Sequence, residues 1–437
     1  MNSTITLPAL DLLYTPPHTE RRLLLLAGAF IGVNMLSLAL QRGFDLLQWW
    51  PFLAWIICAV GGQLVLMRLL PYRDPLLFPL MMFLAGWGLV LIERLEPPFA
   101  DRQALWLLLS TGAMLLTCSI PYLLRMLRAY RYTLLVLAIG LLVSTILLGV
   151  NPSGFGPQLW LSVGGIYFQP SEALKIILVV FLSSYLSEQY PSIRIKDLPR
   201  LTFIERHPWL SPRILGPILL MWGICVVVLI WQRDLGTAVL FFMIFIVLLY
   251  VASGVELIVA CGGLLIGAAA VVAYRLFDVV QLRIDIWLNP WPEADGRAFQ
   301  IVQSLMAFGA GGIIGQGIGQ GSPGYIPVVH SDFAFAALAE EWGFLGIVVV
   351  TACLAVLVMR GLRIALLHQE RPYFALLAVG LSTLLAVQSL LIMGGVLKVM
   401  PLTGVTLPFL SYGGSSLLTS CILMGLLLRL SSEGRQP

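Results

Sequence analysis

Four short strings of this sequence put ionisable or hydroxyl-bearing side chains at the ends of long apolar stretches, where a charge costs about 2.5–3.5 kcal/mol on membrane-insertion scales. The first is Gln169-Pro170-Ser171-Glu172-Ala173-Leu174-Lys175. Proline suits the first turn of a helix, and Glu172 and Lys175, at i,i+3, then share one helical face. Two readings stand for the pair: a self-neutralising couple that merely permits insertion, or a carboxylate and an ammonium kept for a polar cavity. In the second string, Gln232-Arg233-Asp234-Leu235-Gly236-Thr237, Asp234 is placed as an N-cap that satisfies free backbone N–H groups at the positive end of a helix dipole.

The third string, His330-Ser331-Asp332-Phe333, closes a long loop and precedes Phe335-Ala336-Ala337-Leu338-Ala339-Glu340-Glu341. On a helix Asp332, Ala336 and Ala339/Glu340 share a face, so the carboxylate would look along a stripe of small residues with room for a ligand. Capping by Ser331 or Asp332 accounts for one polar residue there, but not for His330, Ser331 and Asp332 together. With four histidines in the chain, His330 alone stands beside a carboxylate at such a pocket, and so few ligands argue against zinc. A carboxylate at a membrane surface is placed to act as a general base. The last string, Pro401 to Ser416, holds Pro408, Ser411, Tyr412, Gly413, Gly414 and Ser415. Two prolines and a small-residue cluster predict an interrupted helix start followed by close helix packing, with hydroxyls available to line a cavity near the outer face.

What must position these strings is a membrane-embedded bundle. Of 437 residues, 59% are apolar and 11% charged, about half the charged share of a soluble domain. Soluble enzymes, secreted scaffolds and nucleic-acid-binding modules are excluded, the last also because a net charge of +4 is scattered over loops rather than massed. The six cysteines stand singly in apolar segments and read as small core residues. Apolar windows predict an all-α polytopic protein with twelve spans, near 22–40, 47–70, 76–92, 104–121, 132–150, 170–187, 213–231, 235–252, 255–276, 334–359, 372–393 and 402–428. Of the 26 Lys+Arg, 17 fall in inner segments and 8 in outer ones, with Lys175 inside a span, which places both termini in the cytoplasm and makes the first span an uncleaved signal anchor. The inner loop at 188–212 reads as a solvated linker. The outer loop at 277–333 is apolar and glycine-dense, so it is expected to fold back onto the membrane surface or over a cavity. No internal repeat is visible, which weakens the case for a transporter of inverted halves.

Taken in order, QPSEALK, RDLGTA, NPWPEADGRAFQIVQS, GAGGIIGQGIGQG, HSDFAFAALAEEWG and PLTGVTLPFLSYGGSSLL resemble the SEDS family (shape, elongation, division and sporulation) over about residues 75–430. These are glycosyltransferases typified by RodA and FtsW, and Ala339 ahead of Glu340-Glu341 resembles the RodA type. The family core usually has ten spans. Residues 1–74 then read as a cytoplasmic N-terminus with two extra helices, 75–430 as the core with its extracellular loop at about 277–333, and 431–437 as a cytoplasmic tail. This chain carries Lys398 where the family commonly has Gly, and Arg233 where it usually has Pro.

The resemblance implies a bacterial cytoplasmic-membrane enzyme that polymerises lipid II into peptidoglycan glycan strands. It would form a β-1,4 linkage with inversion and release undecaprenyl pyrophosphate, beside a class B penicillin-binding protein in an elongation or division complex. The family's essential Asp matches Asp332, and its motif Glu and Lys match Glu172 and Lys175. Asp234, Gln303, Ser304, His330, Ser331, Ser411, Ser415 and Ser416 fall within the matching strings and are candidates for the substrate cavity. The departing pyrophosphate needs positive charge, for which Lys175, Arg283, Arg297 and Lys398 are candidates, as is a divalent cation, Mg or Mn, whose ligands the sequence does not assign. Two other classes compete: a lipid-precursor flippase and a non-enzymatic scaffold for the penicillin-binding protein. A flippase needs a polar route open to both sides, whereas these residues mostly cluster outward.

Overall fold

The computed structural model describes residues 17–43, 46–151, 158–189 and 234–434, with isolated positions between 216 and 231. The expected inner loop lies outside them beyond residue 189, and the span at 213–231 is described at only 9 of its 19 positions. Elsewhere the long apolar windows form helices, the structure in which every backbone polar group is satisfied within its own segment. In chain order these are α1 (Pro17–Arg42), α2 (Trp50–Leu69), α3 (Leu77–Leu95), α4 (Pro97–Ser119), α5 (Leu123–Ala129), α6 (Arg131–Leu148) and α7 (Pro170–Gln189). After the gap come α8 (Leu235–Ser253), α9 (Glu256–Leu276), α10 (Asp278–Leu288), α11 (Phe299–Gly311), α12 (Ala334–Leu367), α13 (Pro372–Val396) and α14 (Gly414–Glu433).

Among the described residues 10 helices are long and apolar enough to cross a membrane, and α4 with α5, bent by 88°, makes an eleventh. The last span starts at Gly414 rather than at the expected 402. Residues 401–413 are irregular, as Pro401 and Pro408 favour, since neither has an N–H for a helical ladder. One hairpin was not foreseen: β1 (Leu161–Val163) pairs antiparallel with β2 (Ile166–Phe168). Gly164 and Gly165, both at positive φ, make its two-residue turn.

Burial sorts the spans into a centre and a rim. In α7 and α13, 89% and 83% of the apolar window is inside the bundle, against 11% in α9, whose surface is left for lipid. Helix α13 packs on α7, α8 and α12, and α14 packs on α4. The two N-terminal helices are built into this bundle. Helix α1 packs on α3 and α2 on α4, while the Trp55 indole donates to the Met82 carbonyl at 2.8 Å. Glu20 of α1 meets Arg73 at 2.6 Å, both buried, with Gln63 also donating to Glu20 at 2.9 Å.

Helix α12 is broken at Gly343 (φ 65°, ψ −163°). The break frees the Glu340 and Glu341 carbonyls, which accept from the N–H groups of Gln316 (2.9 Å) and Gly317 (3.0 Å). In return Phe344 and Leu345 donate to the carbonyls of Gly312 (2.9 Å) and Ile313 (3.1 Å). The glycine-rich part of the outer loop is thus inserted into the break, and a Cβ at Gly343 would collide with the Gly315 backbone. Ahead of it, α11 packs along α12.

Candidate active site

Asp332 lies in the turn immediately before α12 and is half-buried. The N-cap of that helix is Phe333, and no side chain caps it. The carboxylate is therefore not committed to the helix N–H groups; it accepts from the Ser331 hydroxyl at 3.2 Å. Removal from solvent pushes the Asp332 carboxyl above the ordinary aspartate value, and the Ser331 bond and the Arg283 charge only partly oppose this. Had it been the cap, dipole and backbone donors would have pulled it the other way.

Arg283, projecting from α10, brings positive charge to Asp332. It feels the charges of both Asp332 and Asp234, while loss of solvent lowers its pKa. One of its guanidinium nitrogens donates to the Thr403 carbonyl at 3.4 Å, which fixes α10 against the irregular 401–413 segment. Asp234 caps α8, accepting from the Thr237 N–H at 3.2 Å, and its second oxygen accepts from the Ser171 hydroxyl at 3.3 Å. From Ser171 the polar track enters the bundle. Lys175 Nζ lies 2.6 Å from Glu172 and donates to Gln388 Oε1 at 3.2 Å, and Thr419 donates to the other Glu172 oxygen at 3.1 Å. The pair thus has partners from α13 and α14, around a cavity of ≈ 10 Å³, room for about one water.

Asp332, Ser331, Arg283, Asp234, Glu172 and Lys175 are brought into one connected region. Ser415 and Ser416 border it structurally: Ser415 accepts from the Gln169 N–H (3.0 Å) and Ser416 from the Thr406 hydroxyl (2.7 Å). Ser411 accepts from the Leu407 N–H at 3.1 Å, shaping the irregular segment. His330 makes no bond to Asp332; its ring packs edge-on against Phe99 and Tyr412, and burial lowers its pKa. Ser304 is buried and donates to the Val396 carbonyl at 3.1 Å, tying α11 to α13, while Gln303 beside it is half-buried. Two candidate cations are engaged elsewhere. Arg297 is exposed and pairs with Glu293 at 2.5 Å, and Lys398 reaches the Leu288 carbonyl at 3.5 Å.

Sequence reasoning missed Gln388 and Thr419, which complete the Glu172–Lys175 cluster, and Arg94. The last meets Glu341 at 2.9 Å and donates to the Gly321 carbonyl at 2.9 Å, while Glu340 accepts from the Ser322 N–H at 2.7 Å. A polar Gln inside an apolar window was a usable signal. Thr419 was not, since threonine sits in a span at little cost.

The family model for the FtsW/RodA/SpoVE cell cycle proteins matches residues 76–436. Peptidoglycan glycosyltransferase RodA of Mycobacterium tuberculosis is 36% identical over 447 residues, covering 97% of this chain and 93% of that protein. Probable peptidoglycan glycosyltransferase FtsW of Geobacter sulfurreducens is 33% identical over 340 residues, covering 77% and 86%. Among solved structures, a chain of a peptidoglycan synthase complex that coordinates polymerization and crosslinking aligns with a TM-score of 0.67 at 27% identity, over 84% of this chain and 99% of that one. With the bundle, the uncapped aspartate and these likenesses together, the chain belongs to the FtsW/RodA/SpoVE family of multi-pass membrane proteins.

Proposed function

We propose that the protein is a peptidoglycan glycosyltransferase that extends glycan strands from lipid II, with Asp332 as general base. The observation that carries this reading is a desolvated carboxylate that caps no helix and faces a cation, Arg283. A carboxyl pKa above the ordinary value makes a stronger base, provided the group is ionised at working pH. The acceptor 4-hydroxyl attacks the anomeric carbon of the donor, opposite its pyrophosphate, and gives its proton to Asp332. The bond from that carbon to the pyrophosphate oxygen breaks, and the electron pair leaves with the phosphate. A single displacement turns the α-linked donor into a β-1,4 bond, and Arg283 supplies charge for the leaving group.

Among the described residues no three His, Cys, Asp or Glu converge as a metal cage. Asp332 and Asp234, the carboxylates that act on Arg283, would hold a divalent cation there, with its other ligands from pyrophosphate and water, as Mg²⁺ commonly takes. The partner fitting this reading is a single-pass class B penicillin-binding protein, supported by the synthase-complex likeness. The distribution of Lys and Arg supports a topology with both termini in the cytoplasm. The flippase reading is less favoured, because the cavity at Glu172 and Lys175 is too small for a lipid headgroup to pass.

The test is lipid II polymerisation by purified protein with its partner. Asp332→Asn keeps the shape of the side chain and should leave the protein folded while lowering the rate by about 10² or more. A rate within a few-fold of wild type would remove the catalytic assignment.

A further inference from the structure

A second polar site lies at the opposite end of α12 from Asp332. Asp332 precedes the helix, whereas Arg371 to Phe374 follow it, and the stretch from Phe344 to Leu367 alone spans about 36 Å at 1.5 Å per residue. There a cleft of ≈ 680 Å³ opens between α5, the start of α6, the end of α7 and the start of α13, lined by Arg125, Arg128, Arg131 and Arg371. Among the described residues Glu188 is the one carboxylate in its lining, and it forms a forked pair with Arg131, 2.7 Å at the second contact. No ion pair among the described residues involves Arg125, Arg128 or Arg371.

Each guanidinium is held over an aromatic ring: Arg125 over Tyr122 (5.0 Å), Arg128 over Tyr373 (5.4 Å), Arg131 over Tyr132 (4.9 Å) and Arg371 over Phe374 (6.0 Å). A cation–π contact uses the charge of the group without consuming its N–H donors, which stay free for an anion. Tyr373 adds a second, independent sign. It is 4% exposed and lines the cleft, and its buried hydroxyl has no hydrogen-bond partner among the described residues. Three cations without carboxylates and a buried donor without an acceptor, converging on one cavity, call for an anion rich in acceptor oxygens.

The surroundings place that anion at a membrane surface. Helix α5 turns 88° away from α4 and so runs across the end of the bundle, with Arg125 and Arg128 at i,i+3 on one face. Tyr122, Tyr130 and Tyr132 are exposed around it, as in an interfacial aromatic belt, and α6 beyond presents Val136 and Leu137 outward. We propose that the cleft binds the phosphate-bearing headgroup of an anionic phospholipid. Phosphate oxygens accept from the arginine edges and, once the side chains covering it give way, from the Tyr373 hydroxyl, and the acyl chains run along the apolar face of α6. The excess of three positive charges favours a headgroup with two phosphates over one with a single phosphate.

The experiment titrates the full-length protein in detergent with cardiolipin, phosphatidylglycerol or phosphatidylcholine and counts bound lipids by native mass spectrometry. Wild type should retain one cardiolipin and prefer it about tenfold over phosphatidylcholine, with phosphatidylglycerol between. Arg128→Gln/Arg371→Gln should weaken cardiolipin about a hundredfold, since each lost charge-assisted bond is worth roughly tenfold. Neither arginine is ion-paired, so the thermal midpoint should hold. Tyr373→Phe should weaken binding several-fold with an unchanged or raised midpoint, and it decides the matter alone if the double variant does not fold. Asp332→Asn should bind lipid as wild type does. Equal cardiolipin binding by wild type and variants overturns the proposal. So does displacement by equimolar inorganic phosphate, which would assign the cleft to free phosphate, or an acidic peptide held there in place of lipid.

Discussion

Asp332 and Arg283 are coupled, and the coupling has a measurable sign. Desolvation raises the aspartate pKa, and the nearby guanidinium lowers it again by favouring the ionised form. Because the ionised form is the base, activity should rise with pH through an inflection above the ordinary value of 3.8. Arg283→Gln removes the opposing charge, so the aspartate pKa climbs and the acidic limb of the pH–rate profile should move to higher pH. An acidic limb left where it was would show that Arg283 does not act on Asp332. Lys398 makes the contrary case. Its φ of 59° is left-handed, which explains why glycine suits the position and costs another residue about 1 kcal/mol or more. Its ammonium makes only a marginal contact with Leu288, at 3.5 Å. Lys398→Gly should therefore leave polymerisation within a few-fold of wild type and stabilise by up to about 1 kcal/mol in thermal unfolding.

The break in α12 is the device by which an element serves the site. A continuous helix would satisfy its own backbone and leave the glycine-rich loop without partners; the break at Gly343 exchanges four of those bonds with the loop. Glu340, Glu341 and Arg94 then hold the same loop through side chains. Gly343 has backbone angles reserved for glycine, so Gly343→Ala should cost about 1–3 kcal/mol from the backbone alone, and more from the collision with Gly315. Thermal unfolding and polymerisation should fall together. Gly112→Ala, in α4 with open space around it, is the control and should be neutral or slightly stabilising.

At the scale of the molecule, α1 and α2 are joined to the rest by groups whose loss should be felt globally. Arg73 and Glu20 are both buried, so Arg73→Met leaves a carboxylate with Gln63 as its remaining donor among these side chains. Breaking such a pair costs about 3–5 kcal/mol, which should be visible as a large drop in thermal midpoint. Glu20→Gln/Arg73→Met should recover much of the loss, because the uncompensated charge is gone. At the other end of α1, Arg42 donates to the Glu93 and Arg94 carbonyls (3.0 and 2.7 Å) and Gln41 to the Ile318 carbonyl (2.9 Å). The first helix therefore also braces the loop beside the site.

By itself the sequence determined the helical spans, because hydrocarbon admits few alternatives for an apolar stretch of this length, and it marked Asp332, Glu172, Lys175 and Asp234 because charge is expensive there. It also showed Asp234 as a cap, a local property of residues three apart. The tertiary structure decided what depends on residues far apart in the chain. Asp332 yields the cap position to Phe333 and loses solvent, which sets its pKa upward, while Arg283, tied to the 401–413 segment, partly opposes the rise. Gln388 and Thr419 join Glu172 and Lys175 only because α7, α13 and α14 meet. Arg297 and Lys398, cations of the same loop region by sequence, are turned to Glu293 and Leu288 instead. Type and spacing along one helix report local geometry, whereas the sign and strength of an electrostatic interaction depend on which helices pack together and how much water they exclude.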